Sequence, residues 1–518
     1  MNNFPSNNAP AIIRSLIIYA ICVPLAITIG YLLTNPLDYS TAAIYGVLAM
    51  LLIMPLLLRW HYFLLLLSWN ASALLFFLKG SPSVWLAMVA VSLGISVLER
   101  ILIPNKQFLR VPQITWPLIC IFAVVVFTAK LTGGFGFRAL GSDVYGGRKY
   151  LFTFIGIFSY FALTAQKIPA NRIGLALALF FLGGLTHGIG DLAHVMPSAF
   201  RLIFLFFPTG MQYSGGTELG STRLGGAQMV SSSMVYYLLA RYGIGGVFNF
   251  RHPRRLLLFF LFLGFGFLGG FRGVFIMMGG TFLFQFFLEG MHRTKLLPVL
   301  AVTGLLAMVV AIPLASKLPF TVQRSLSFLP LPFSTEVKGD AESTMAWRME
   351  MWTGVMKQIP EYLLVGKGYS FSKDDFAFMG SDTAFRSVDV SQSSLALSGD
   401  YHNGWISVLI CFGVWGMLTY LWFCLACIWV LWRNYCHGDP KLSTINSFML
   451  AYFLGHFLLY ISFGGGGLSG DLASLIGPVG LSIVFNGGVC QPGSQTARVK
   501  QPATLKRPFM RPRPAFRR

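Results

Sequence analysis

Residues 405–432 read WISVLICFGVWGMLTYLWFCLACIWVLW, with no charged side chain from end to end. A helix needs roughly 20 apolar residues to cross the hydrocarbon core of a bilayer, and this run is longer than that. It is continuous rather than alternating, so it does not have the period of two that a membrane-spanning strand would show. Working outward in both directions, similar apolar runs recur, from residues 11–33 at one end to 468–485 at the other. Of the 518 residues 55% are hydrophobic and 11% charged, against about 25% charged in an ordinary soluble domain. The mean hydropathy is +0.67. The expectation is an all-α fold, a polytopic transmembrane helix bundle of about fourteen spans. Residues 1–315 form an N-terminal bundle of about eleven spans and 405–486 a C-terminal group of about three. Residues 316–404 make one long loop between them, and 487–518 a basic tail.

The net charge of +21 raises nucleic acid as a partner, but its placement points to a bilayer instead. Basic residues sit in short connections: Arg59; Arg100, Lys106 and Arg110; Lys167 and Arg172; Arg241, Arg251, Arg254 and Arg255; Arg293 and Lys295; Arg433 and Lys441. The alternate connections 34–40 and 464–467 have none. By the positive-inside rule both termini are expected in the cytoplasm and the loop 316–404 outside. The tail mixes Arg498, Lys500, Lys506, Arg507, Arg511, Arg513, Arg517 and Arg518 with Pro502, Pro508, Pro512 and Pro514. It reads as a disordered extension near anionic lipid, with RNA binding as the alternative. Cys424 and Cys427 have C-x-x-C spacing, but within an apolar run packing is the simpler role. Residues 11–33 lack the small-residue cleavage site of a signal peptide.

A loop as long as 316–404 is usually functional or disordered. Its stretch 343–358, STMAWRMEMWTGVMKQ, has a helical pattern, with Ser343 or Thr344 as candidate N-cap and Pro360 as the stop. Four groups on this outer side draw attention. Arg223 lies in GSTRLGG, Arg272 in GGFRGVF, Arg348 in WRMEMW and His402 in DYHNGW. Snorkelling is the ordinary explanation for an interfacial Arg. It is weaker for Arg272, held by Gly269, Gly270 and Gly273 near the bilayer edge, where a charge tends to face a cavity. Guanidinium forks match phosphate oxygens, and imidazole suits general-base work near neutrality. Together they suit a phosphate-bearing lipid attacked by a hydroxyl.

This arrangement resembles the O-antigen ligase and O-antigen polymerase superfamily. The resemblance runs through Arg348 and Trp352, Pro360, LLVGKGYSF, His402-Asn403 and the Gly413 and Gly416 of FGVWG. Arg272-Gly273 and Arg223 match two further family positions. The resemblance implies a glycosyltransferase of the bacterial inner membrane that works at the periplasmic face. Its donor would be a polyprenyl-pyrophosphate-linked glycan, its acceptor a hydroxyl of lipid A-core, protein or a growing polysaccharide. It further implies that Arg223, Arg272 and Arg348 hold the pyrophosphate, that His402 activates the acceptor, and that no cofactor or metal takes part. Two departures stand out. Phe271 occupies the position where the family usually has Ser, and GGAQMVSSS replaces a Pro-Asn after Arg223.

Other constellations compete. Asp340 and Glu342 have the D-x-E spacing of metal-dependent membrane glycosyltransferases, and His187, Asp191 and His194 the spacing of metal ligands on one helical face. The first pair, like Asp374 and Asp375, reads as solvated loop, and the second group as polar lining. GGGGLSGD at 464–471 has no strand–helix context for a phosphate loop and reads as a flexible outer turn. The alternative functions are a transporter or flippase of lipid-linked oligosaccharide and a non-catalytic scaffold. A site at one membrane face would favour transfer, and one at mid-depth, open by turns to both sides, transport.

Overall fold

The structure is a computed structural model that describes residues 39–78, 80–103, 107–137, 144–194, 196–213, 222–372 and 399–492, with a few positions between 19 and 30. Most of the expected first span at 11–33, Asp374, Asp375 and the tail beyond 492 lie outside the described residues. The long helices are α1 Tyr39–Ser68, α2 Val84–Leu102, α3 Pro112–Thr132, α4 Gly147–Leu163 and α5 Ile173–Leu182. After short α6 His187–Asp191 and α7 Arg201–Phe206 come α8 Gly225–Val247, α9 Pro253–Phe265, α10 Arg272–Leu288 and α11 Leu296–Leu314. The loop region holds α12 Phe320–Leu326, α13 Thr335–Met356 and α14 Ile359–Tyr362. The chain then continues with α15 Gly404–His437, α16 Ser443–Leu459 and α17 Leu468–Asn486. Among the described residues, eight helical stretches are long and apolar enough to cross a membrane: α1, α2, α3, α5–α6, α11, α15, α16 and α17. The chain is an all-α, multi-pass membrane protein.

One expected boundary moves. The basic pattern puts Arg59 in a connection between two spans, but 39–68 form one helix. A lone Arg in an apolar run looks like a connection, yet Arg is a good helix former and neither Gly nor Pro follows it. The neighbouring polar groups pack instead of turning the chain. His61 Nδ1 lies 2.9 Å from Ser92 Oγ, and the Tyr62 hydroxyl donates to Leu163 O at 2.8 Å. Beyond Ser68 the chain to 83 is mostly irregular. It is held where Asn70 Nδ2 donates to Phe180 O and Leu74 N to Phe206 O.

The core forms where α4 packs on α17, α3 on α15 and α10 on α16, with α8 touching α5, α9 and α16. The basic connections gather at one end. Arg172 lies over Phe63, Arg241 beside Gly174, Arg255 over Tyr242 and Lys167 against Gly487. There α8 breaks at Gly243 (φ 67°), and Glu289 receives the Ile244 N–H at 2.9 Å. Helices α8 and α10 start from the opposite end, beside Arg223 and at Arg272. The residues grouped by charge pattern are therefore neighbours in space.

Helix α15 is broken at Gly413, whose φ of 63° is left-handed and suits glycine. The LLVGKG segment repairs the break. Val414 N donates to Leu363 O, Lys367 N to Ile410 O and Gly368 N to Cys411 O, at 2.7–2.8 Å. Thr128 Oγ1 adds a bond to Val365 O at 3.0 Å, so α3 helps to fix the same segment. The loop helix also differs from expectation. It starts at Thr335, placing Ser343 and Thr344 inside it, where both hydroxyls donate back to Asp340 O. Such back-bonding lets Ser and Thr sit within a helix rather than cap it. Asp340 is ion-paired with Arg324 at 2.9 Å, tying α13 to α12. It is committed to that contact rather than lying in a solvated loop.

Candidate active site

Arg223 stands on a two-stranded ribbon, β1 Met211–Tyr213 with β2 Thr222–Leu224, opposite Gln212. The ribbon leads straight into α8, whose first turn is held where Ala227 N donates to Asp191 Oδ2 at 2.8 Å. Asp191 is thus a helix-capping group, and among the described residues no three His, Cys, Asp or Glu side chains are grouped as metal ligands would be. The Gly225-Gly226 pair permits this docking, since a side chain at Gly226 would run into Asp191 and His187 O. That accounts for GGAQ in place of the family's Pro-Asn. Phe271 has a role too. The Arg223 guanidinium lies over its ring, 5.2 Å from the centroid, a contact that favours a cation. Arg223 Nε is buried without a hydrogen-bond partner among the described residues.

Gly270, at φ 68°, reverses the chain so that Arg272 becomes the first residue of α10. Arg348 projects from α13 toward the same point. Burial holds its guanidinium pKa below the usual value, the nearby Arg272 lowers it further, and Asp400 pulls it back up. Two guanidiniums within electrostatic reach of each other, one of them half-buried, form a site that an anion would relieve.

His402 is fixed from several sides. Its φ of 49° is left-handed, uncommon for a residue other than glycine. Its N–H donates to Asp400 Oδ1 at 3.2 Å, so Asp400 braces the backbone, and its ring meets Trp347 edge-on at 5.7 Å. Trp352 Nε1 donates to Tyr401 O at 2.7 Å, and Asn403 Oδ1 caps α15 by accepting from Ile406 N. Burial lowers the imidazole pKa, Asp400 raises it and Arg348 lowers it again. A half-buried imidazole that is neutral near pH 7 can accept a proton.

The four residues singled out in the sequence therefore meet. Arg223 reaches Gly270 and Phe271, next to Arg272, Arg272 and Arg348 interact, and Arg348 and His402 share Asp400. Sequence reasoning missed Lys149, over the Tyr369 ring and within reach of Asp400, and Trp347 as the wall of His402. It also missed Asp471, whose signal was the GGGGLSGD stretch. That stretch is a packed seam rather than a flexible turn. Gly465 lies against Gly404, and a side chain at Gly466 would stand 3.3 Å from Asp400 Oδ2 and 3.5 Å from Asp471 Oδ2. Glycines there let two segments approach closely.

No curated protein matches the chain. Residues 257–421 match the family model described as O-Antigen ligase. The matched residues contain Arg272, Arg348 and His402, while Arg223 precedes them. Over residues 257–421 the chain thus carries a stretch similar to the O-antigen ligase domain, in line with the O-antigen ligase/polymerase superfamily.

Proposed function

We propose that the chain transfers a glycan from a polyprenyl pyrophosphate to an acceptor hydroxyl at the periplasmic face of a bacterial inner membrane. What carries this reading is the meeting of Arg272, Arg348 and His402, from three separate segments, at the end of the bundle away from the basic connections. In the reaction His402 accepts the acceptor hydroxyl's proton while that oxygen attacks the anomeric carbon of the donor. The bond from that carbon to the pyrophosphate oxygen breaks. Arg272 and Arg348, with Arg223 beside them, stabilise the charge on the departing polyprenyl pyrophosphate. His402 then gives its proton to water. The residues in these roles ask for no metal and no nucleotide sugar.

Gathering of the cations at one end, rather than at mid-depth, favours transfer over the flippase alternative. Two tests bear on it. A Cys placed at Ser372 should be modified from outside the cell and one at Ser494 spared, and the reverse pattern would contradict a periplasmic site. In a deletion strain, intact polymer left on its polyprenyl carrier would mark a ligase and unlinked short repeats a polymerase. Unchanged glycans would end the proposal.

A further inference from the structure

Inward from the arginines lies a cavity of about 330 Å³. Its walls come from helices that start at the site: Met229 and Tyr236 on α8, Val274 and Met277 on α10. Val274 and Met277 follow Arg272 by two and five residues, so at 1.5 Å per residue the cavity begins about 3–8 Å deeper. The volume is at the small end of the roughly 300–1,000 Å³ usual for small-molecule sites.

The lining sets polar groups, His187 and His456 among them, between aromatic and aliphatic side chains. No Lys, Arg, Asp or Glu contributes to it among the described residues. Ser232 and Ser233 both donate to Met229 O, at 3.1 and 2.7 Å, which leaves their lone pairs to accept from the cavity. Tyr236 is 4% exposed, and its hydroxyl lies beside Thr281 without a well-formed hydrogen bond. His456 uses Nδ1 toward Tyr452 O at 3.3 Å, which leaves Nε2 for another partner, and its ring lies 4.2 Å from that of Tyr452. Polar groups at membrane depth are costly unless they find partners, and they commonly line a cavity or a substrate path. An isoprenoid chain would leave these groups unmatched, and a phosphate would find no cation. Aromatic faces with neutral hydroxyl and imidazole groups suit an uncharged ring that carries hydroxyls.

We propose that this cavity is a subsite for one uncharged sugar ring, belonging to the lipid-linked donor or to the acceptor. This rests on the transfer reading. The test uses full-length protein in nanodiscs with three probes: bare polyprenyl pyrophosphate, the same lipid bearing one N-acetylhexosamine, and a free methyl hexoside. Tyr236→Phe removes one hydroxyl and should weaken the sugar-bearing lipid about 5–10-fold, the worth of one hydrogen bond, while leaving the bare lipid unchanged. Met277→Trp fills the space and should erase the difference between the two lipids. If only the acceptor KM rises in these variants, the ring is the acceptor's and the subsite stands. If wild type binds both lipids alike and the acceptor KM does not move, the cavity holds water only and the proposal is overturned, with transfer intact. If neither lipid binds, the transfer reading fails separately. Methyl hexoside binding that Met277→Trp abolishes would then uphold the neutral-ring site, and its absence would overturn it.

Discussion

Helices α11 and α17 are each 19 residues long, yet they sit in the molecule in opposite ways. The more hydrophobic, α11, has no buried residue, whereas 72% of the α17 span is buried. Lipid tails are as apolar as leucine, so long aliphatic side chains gain little by leaving lipid for protein. Packing in a bilayer is led by small and polar residues that permit close approach and hydrogen bonds. Helix α17 has them in Gly477, which faces Phe180 and Trp69, and in Ser482, which receives Asn434 Nδ2 at 3.0 Å. Helix α11 offers Val302, Leu305, Leu306 and Val309 to its surroundings. Hydropathy thus finds the spans, and interruptions of hydropathy find the core and the chemistry.

The comparison can be broken or sharpened by substitution. Among substitutions that bear on this comparison, the largest effect is expected at the charged interruptions. Arg272→Lys and Arg348→Lys keep the charge but lose the planar fork. Each should lower the transfer rate, toward the roughly 10²–10³-fold loss typical when a positioned donor is removed. Normal rates in both would make a bidentate phosphate role untenable. Next comes the packed helix. In Gly477→Leu the first added carbon would stand 2.7 Å from Phe180 Cζ and 3.1 Å from Trp69 Nε1. Overpacking of this kind costs about 1–3 kcal/mol, read as a lower thermal midpoint in detergent. Leu306→Ala on α11 should change that midpoint by less than about 0.5 kcal/mol equivalent. Equal effects at the two positions would erase the distinction.

A smaller, directional effect concerns pH. If His402 is the base, its neutral form is the active one, so the rate should rise with pH through its pKa. Burial and Arg348 hold that pKa below 6.5 against the pull of Asp400. The acid limb of the rate profile should therefore have its midpoint below 6.5. Asp400→Asn keeps an oxygen to receive the His402 N–H but removes the charge, so the midpoint should fall further. A midpoint that rose instead would contradict this electrostatic account.

Much of the site was legible because its cues are local. Arg272 among glycines, Arg348 between tryptophans and His402 at the head of an apolar run each stand out from their neighbours. The rest depends on contacts between distant segments that no local pattern carries. The Tyr150 hydroxyl accepts from Tyr369 N across 219 residues, and Thr128 reaches Val365 across 237. Asp400 was visible beside His402, but its neighbour Asp471 was hidden in a glycine run that resembles a loose turn and is in fact a close-packed seam. Arg59 and Ser343 misled for the opposite reason. Each is a residue type found at helix ends, and here each lies inside a helix.

The central claim is that His402 is the base in a transfer from polyprenyl pyrophosphate. Its most direct test is turnover by purified His402→Ala with a defined lipid-linked donor and a defined acceptor, beside a check of fold and donor binding. The account predicts a rate lower by about 10²–10⁴, with thermal midpoint and donor affinity near those of wild type. Near-normal turnover by a well-folded His402→Ala would contradict it and leave the arginines to explain the chemistry alone.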